Sequence, residues 1–374
     1  MKVVWVTRSF LDYRIPVYKE LNSLLNSQLV LVYNADYVPE RVHNKVQEAL
    51  GKNAIGLRGE FKIGPDDFGD FLANKKARIP FQPRLIKTIK KLKPDILISD
   101  GFFQWTYAAL WMRLFYKTKH IMCYERTHHT ERNAQWFRIA YRKFVLRWID
   151  AYCASGKLCG EYLQTLGVEK NKITYGHMVA DLSGISKQIN STNKKTNSKI
   201  YLFVGKLIER KGVKELLEAW SLFHKGKEDK VKLIIVGDGP QKTFVIDCCK
   251  EKSIANIHML GHVDYDKMSD IYSKADIFLI PTLEDNWSLV VPEAMSNGLP
   301  ILCSKYNGCW PEYVTKANGW VFDPLDSSDF VKKLETSYNC DTFLEFGKAS
   351  KTIIKQYTPV HAAKAVFKAI KISV

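Results

Sequence analysis

Three loops in the second half of the chain carry residue types suited to a phosphorylated ligand. In Val204-Gly205-Lys206-Leu207-Ile208-Glu209-Arg210-Lys211-Gly212, an apolar run ends at Val204 and a glycine allows a tight exit. Lys206 and Lys211 follow with four residues between them. Two fixed ammonium groups neutralise a diphosphate and stabilise the charge that develops as it departs. An exposed basic loop would read the same way. In Val236-Gly237-Asp238-Gly239-Pro240 the two glycines let backbone approach a ligand closely, although such a turn needs no ligand. In Pro281–Pro300, Asp285 and Glu293 have seven residues between them, and Glu293 falls in the first turns of a helix beginning near Leu289. The N–H groups at that helix start can hold a phosphate. Glu293 can accept hydrogen bonds from a ribose diol and Asp285 from sugar hydroxyls. A carboxylate that only complements the helix dipole is the plainer alternative for Glu293.

These loops need strands to hold them. In the first half, Lys2–Thr7, Leu29–Tyr33, Ile96–Ser99, Ile121–Tyr124 and Ala151–Ala154 read as strands, with helices over Pro83–Leu92 and Ala134–Trp148. After the polar stretch Ser186–Ser198, read as a surface linker, the alternation restarts. Strands are expected at Ile200–Val204, Lys232–Val236, Ile257–Leu260, Ile277–Ile280 and Ile301–Cys303. Helices are expected at Lys214–Leu222, Gln241–Cys249, Asp266–Lys274 and Val290–Ser296. Alternation of this kind implies α/β architecture, with two Rossmann-like doubly wound parallel sheets facing across a cleft. The expected division is one domain over 1–185 and another over 199–355. Residues 356–374 read as a C-terminal helix, with the N-terminal domain as its candidate partner.

Residues 200–326 resemble the retaining glycosyltransferases of the GT4 type, which have the GT-B fold. The matching pieces are VGKLIERKG, VGDGP, MLGHVDYDKMSDIYSKADIFLIPTLEDNWSLVVPEAMSNGLPIL, NGCWPEYV and NGWVFDP, in that order. The resemblance implies a hexose moved from a nucleoside-diphosphate sugar to a hydroxyl of a glycan or lipid-linked acceptor, in surface polysaccharide assembly such as capsule or O-antigen. Retention of the anomeric configuration is implied by the resemblance alone. By the same resemblance Lys206 and Lys211 hold the diphosphate, Glu293 the ribose, and the backbone of Asn286, Trp287, Ser288 and Leu289 the sugar and distal phosphate. Gly237 and Gly239 join that donor set. The family usually has two glutamates at the acidic pair; here the first matches Asp285, with Glu284 just before it. The family often has a histidine after the strand read here as Ile121–Tyr124, near the reacting carbon. His128 is the first candidate, with His129 and Glu125 behind it. Catalysis is therefore expected from His128, Asp285 and Lys211. Acceptor contacts are expected from Arg8, Arg14 and Arg126.

Composition limits the alternatives. The net charge is +17; residues 1–185 hold 29 basic and 17 acidic residues, the remainder 27 and 22. Phe71–Pro94 has eight basic residues and no acid, and Arg132–Arg147 interleaves basic and aromatic residues. Such an excess favours an anionic partner, and an anionic membrane surface is expected beside the sugar substrates. A nucleic-acid-binding protein is a rival reading, but no recognised nucleic-acid motif appears and none is expected as partner. A nucleotide-sugar epimerase or a phosphorylase on the same fold is the other alternative. Asp264-Tyr265-Asp266 is a DxD sequence, read as a helix cap, not a metal site; neither metal nor cofactor is expected. Eight scattered cysteines without CxxC pairs read as free thiols. No apolar stretch reaches the roughly 18 residues of a membrane helix, and Met1–Phe10 lacks signal-peptide features. A cytoplasmic protein, peripheral on the inner face of the cell membrane, is expected.

Overall fold

The computed structural model describes residues 1–63, 79–185, 198–252 and 254–374. Most of the expected linker, and the start of the basic Phe71–Pro94 stretch, lie outside the described residues. The chain divides into two compact units. The first runs to Asp181 and takes back Tyr357–Val374; the second contains Leu182–Gln356.

In the first unit the strands are β1 (Val3–Thr7), β2 (Leu29–Asn34), β3 (Ala54–Leu57), β4 (Phe61–Ile63), β5 (Ile79–Phe81), β6 (Ile96–Asp100), β7 (Lys119–Tyr124), β8 (Ala151–Ala154) and β9 (Ile173–Tyr175). Seven form one sheet in the order β3-β2-β1-β6-β7-β8-β9, every pairing parallel, and β4–β5 make a separate antiparallel pair. The strands are continuous apolar runs because both faces are covered. Val3, Trp5, Leu31, Ile98 and Cys123 pack on one face beneath the helices Arg14–Leu24, Glu40–Leu50 and Pro359–Ser373. Val4, Val6, Val32 and Leu97 pack on the other beneath Leu85–Leu92 and Thr106–Tyr116. Met122 and Tyr152 continue that face toward the helices Trp136–Val145 and Lys157–Leu166. The helix expected over Ala134–Trp148 is thus shorter, and it ends in a 3-10 turn, Leu146–Trp148.

The C-terminal helix belongs to this first core. Thr358 caps it, its hydroxyl accepting from the His361 amide at 3.2 Å, and Pro359 opens the first turn. Ala362, Ala363, Val366, Ala369 and Ile370 are buried, and small residues let the helix lie close to β7–β9 and Arg14–Leu24. Thr174 Oγ1 donates to the Ala365 carbonyl at 3.0 Å.

The second unit has β10 (Lys199–Val204), β11 (Val231–Val236), β12 (Ile257–Gly261), β13 (Ile277–Ile280), β14 (Ile301–Ser304) and β15 (Gly319–Phe322). All pair in parallel in the order β12-β11-β10-β13-β14-β15. Strand order reverses between β10 and β13. Ligands of open α/β sheets bind beyond the strand ends at such a reversal. The loops leaving β10 and β13 are those carrying the lysine pair and the acidic pair. Among the described residues no helix is long and apolar enough to cross a membrane.

Deleting buried methylenes from the last helix should loosen the first unit. Ile370→Ala is expected to cost about 2–5 kcal/mol in urea unfolding; an unchanged midpoint would show that this helix does not contribute to the core.

Candidate active site

At the reversal of the second sheet, two loops are held together by backbone. The Arg210 carbonyl, in the 3-10 turn Glu209–Lys211, accepts from Thr282 Oγ1 at 2.8 Å, the Leu283 amide at 2.9 Å and the Glu284 amide at 3.2 Å. Gly212 follows with φ +69°, and a Cβ there would lie 2.0 Å from the Pro281 carbonyl oxygen, so only glycine fits. This close approach brings Lys211 Nζ within 2.5 Å of Asp285 Oδ2. Burial pushes the Asp285 carboxyl up, but Lys211, Arg210 and the Trp287 amide together outweigh it and hold it below the usual carboxylate range. The loop after β14 closes the other side. Asp285 and Asn307 form a parallel bridge, the Gly308 amide donates to the Asp285 carbonyl at 2.9 Å, and a Cβ on Gly308 would meet the Asn286 carbonyl.

Glu293 has the opposite environment. It lies in the first turn of the helix Val290–Ser296, where Tyr272 Oη donates to its Oε2 at 2.9 Å. Burial pushes its carboxyl up to about 7, against the lowering effect of the Tyr272 bond. One acid is therefore held ionised while its neighbour in sequence sits near neutrality, an arrangement that assigns different roles to two carboxyls. Lys206 is exposed and forms no ion pair among the described residues. Asn286 Oδ1 and Trp287 Nε1 are buried without a partner among the described residues, so this loop retains unspent hydrogen-bonding capacity. Trp287 meets Tyr313 edge-on at 5.2 Å; Ser288 and Glu284 are buried, and Leu289 is the helix N-cap.

The glycines of the second motif have a packing explanation. A Cβ on Gly237 would lie 1.9 Å from the Gly205 carbonyl, and one on Gly239 2.5 Å from the Leu207 carbonyl. Their glycine identity supports the loop that carries Lys206. At the DxD sequence the expected cap is not made: the Asp264 side chain forms no capping hydrogen bond. Its carboxylate instead lies 3.5 Å from Lys267 and 3.9 Å from His262, on the surface.

In the first unit two of the arginines expected at the acceptor have internal acidic partners. Arg14 is 4% exposed; its guanidinium lies 3.6 Å from Asp100 and 3.3 Å from Glu125, beneath the strand ends. Arg8 is gripped by the fully buried Glu60 carboxylate at 2.7–2.9 Å, which also accepts from Trp105 Nε1 at 2.8 Å, while Tyr37 stacks on the guanidinium. Each guanidinium is thus held by an acid of the protein's own. Arg126 remains partly exposed, its Nε 3.2 Å from Glu131, whose other oxygen meets buried Arg142 at 2.6 Å. His128 is exposed, edge-on to Tyr162 at 5.2 Å, and His129 and Glu125 are half-buried. The first-unit residues that sequence reasoning missed, Glu60, Asp100 and Glu131, carry no local signal, since each is identified only by a distant arginine. In the second unit Tyr272 and Asn307 are likewise identified only by distant partners, Glu293 and Asp285.

Two family models match consecutive stretches of the chain: Glycosyltransferase Family 4 over residues 46–182 and Glycosyl transferases group 1 over 184–356. Together they take in most of its length, and the chain belongs to the GT4-type glycosyltransferases. Sulfoquinovosyl transferase SQD2 of Arabidopsis thaliana is 24% identical over 303 residues, 75% of this chain and 57% of that protein. O-antigen chain mannosyltransferase B of Escherichia coli is 29% identical over 150 residues, 40% of this chain and 39% of that one. The chain spans about half the length of the curated relatives it matches. A solved structure of Anabaena Alr3699/HepE in complex with UDP superposes with a TM-score of 0.74 at 13% identity, over 99% of this chain and all of that one, which establishes the GT-B fold.

The two carboxyls should separate in a pH series. A raised folded pKa at Glu293 means that stability associated with its neutral form is lost as pH climbs from its ordinary range near 4.5 through about 7. The melting temperature of Glu293→Gln is expected to gain on the parent between pH 5 and 8, the difference vanishing at the acid end; a pH-independent difference would contradict this environment.

Proposed function

We propose that this chain moves a hexose from a nucleoside-diphosphate sugar to a hydroxyl of a glycan or lipid-linked acceptor in surface polysaccharide assembly, with retention at the anomeric carbon. The observation that carries this reading is the disposition of cations at the sheet reversal. Lys211 is anchored by Asp285 and Lys206 is exposed on the same short loop. An anchored ammonium costs little reorganisation when charge develops on a departing diphosphate. In the proposed step the bond from the sugar's anomeric carbon to the diphosphate oxygen breaks, and the acceptor oxygen bonds to that carbon from the same face. The acceptor's proton passes to a departing phosphate oxygen, so no protein base is required and no metal is invoked.

Glu293 is assigned to the ribose hydroxyls. Near neutrality a carboxyl can accept from them or donate to them, and binding would favour the form that satisfies both oxygens. Asn286 and the amides through Leu289 are assigned to the sugar hydroxyls and distal phosphate. UDP is the first donor nucleotide to test, because it occupies the structurally similar Anabaena protein. The first unit is assigned to the acceptor, with Arg126 on the acceptor and His128 at the reacting carbon. The named activities of the relatives, sulfoquinovosyl and mannosyl transfer, support a hexose and do not choose among hexoses. The proposed setting is the cytoplasm, at the inner face of the cell membrane.

The direct test is anomeric analysis by proton NMR of product formed from UDP-, GDP- or ADP-hexose with and without a sugar acceptor. A new glycosidic linkage of the donor's own anomeric configuration is expected. Inversion would overturn retention, and an altered sugar nucleotide without acceptor would identify an epimerase. Lys206→Ala, which breaks no observed ion pair, is expected to lower kcat/KM on the order of 10²-fold with the melting temperature unchanged. Full activity would remove Lys206 from the phosphate site.

A further inference from the structure

Outside the candidate site, one surface of the first unit is unlike the rest. The helices Leu85–Leu92, Thr106–Tyr116 and Trp136–Val145 cover the same side of the first sheet and contain no aspartate or glutamate. Leu85–Leu92 packs beside Thr106–Tyr116, and the latter meets the 3-10 turn that ends Trp136–Val145. Phe103, just before the middle helix, lies 5.1 Å from Tyr141 of the third. Their outer positions are therefore parts of one continuous surface.

That surface presents large apolar side chains which a monomeric core would bury. Trp136 is 80% exposed, Phe115 62%, Phe144 54% and Trp111 43%. Trp111 and Phe115 share a helix face and stack at 4.3 Å. Cations accompany the rings: Lys90 Nζ lies 5.3 Å from the Tyr116 ring and the Arg147 guanidinium 4.8 Å from that of Phe144. Lys87, Lys91 and Lys143 are also exposed. By contrast, flanking acids are already engaged: Asp95 by the Lys2 amide at 2.7 Å, Glu131 by Arg142 at 2.6 Å and Asp150 by Arg113 at 3.0 Å. The excess positive charge of residues 1–185 is thus displayed here with nothing to neutralise it on the helices themselves.

We propose that this three-helix surface docks on a membrane rich in anionic lipid headgroups. Such a layer satisfies both features at once: phosphates take the lysines, and the headgroup–acyl boundary takes rings that have one apolar and one wet side. The proposal gives residues to the peripheral location suggested above, but it rests on exposure and charge alone and stands or falls independently of the transfer chemistry. No helix inserts; the contact is reversible, and salt weakens it by screening.

The test is co-sedimentation of the full chain with vesicles of equal phosphatidylglycerol and phosphatidylcholine, and with vesicles of phosphatidylcholine alone. Binding to the anionic vesicles at low salt is expected, with little binding to the neutral ones and strong loss at roughly 0.5 M salt. Lys87→Glu/Lys90→Glu/Lys91→Glu is expected to weaken partitioning at least about tenfold. Trp111→Ser/Phe115→Ser/Trp136→Ser should weaken it at both salt levels, and Trp136→Ser alone, at the most exposed ring, should do so in part. Phe244→Ser, on the second unit, should bind as the parent does. Thermal melts and UDP-induced stabilisation check that each variant is folded. The proposal is overturned if the parent fails to bind anionic vesicles at low salt. It is equally overturned if folded variants bind undiminished, or if duplex RNA displaces the protein from the vesicles.

Discussion

A carboxylate can be buried at the end of a β-strand only if something nearby keeps it charged at small cost. At Asp285 that partner is Lys211, 2.5 Å away. An unpaired charge in such a place would cost several kcal/mol, so the two side chains fix each other. Much of the second unit's site follows from this pairing. The left-handed Gly212 and the three donors on the Arg210 carbonyl bring the lysine's loop against the acid's loop. The β14 loop then holds Asp285 from the other side. Lys211 reaches its position through backbone contacts that do not depend on a ligand. The ammonium is thus held in place by the protein itself, the condition under which electrostatic stabilisation is most effective.

The two acids of the 281–300 segment show how environment divides similar groups. Asp285 faces two cations and a backbone amide, and Glu293 only a phenol. The first is held as an anion beside Lys211, whereas burial makes the second easier to protonate. Read from residue type alone both were hydrogen-bond acceptors for sugars. The structure separates an acid paired with a cation from one that is not.

Much of the second sheet was legible because β10, β11, β13 and β14 are short apolar runs, the first three punctuated by glycine or proline at the exit and β14 by Pro300 at its entry. The chemistry-bearing loops could be placed at strand ends before any coordinates. Less was legible in the first unit. The helix Arg14–Leu24 contains Pro16 and the polar Asn22 and Ser23, and it buries an arginine, so its periodicity is blurred. The acids that meet Arg8 and Arg14 come from β6, from the segment between β3 and β4, and from the exit of β7. Pairings across so many residues leave no trace in local pattern. The glycines at 237 and 239 signal close backbone approach, and the structure shows one such approach, to the protein's own Gly205 and Leu207 carbonyls.

The central claim is that one nucleotide-sugar site is built from the loops after β10 and β13 and the helix that follows. Hydrogen–deuterium exchange with and without UDP measures this directly. Slowed exchange is expected in residues 205–212 and 282–293, with the outer helices Val213–Phe223 and Ser327–Tyr338 unaffected. UDP binding that protects neither loop, or protects only segments of the first unit, would contradict the account.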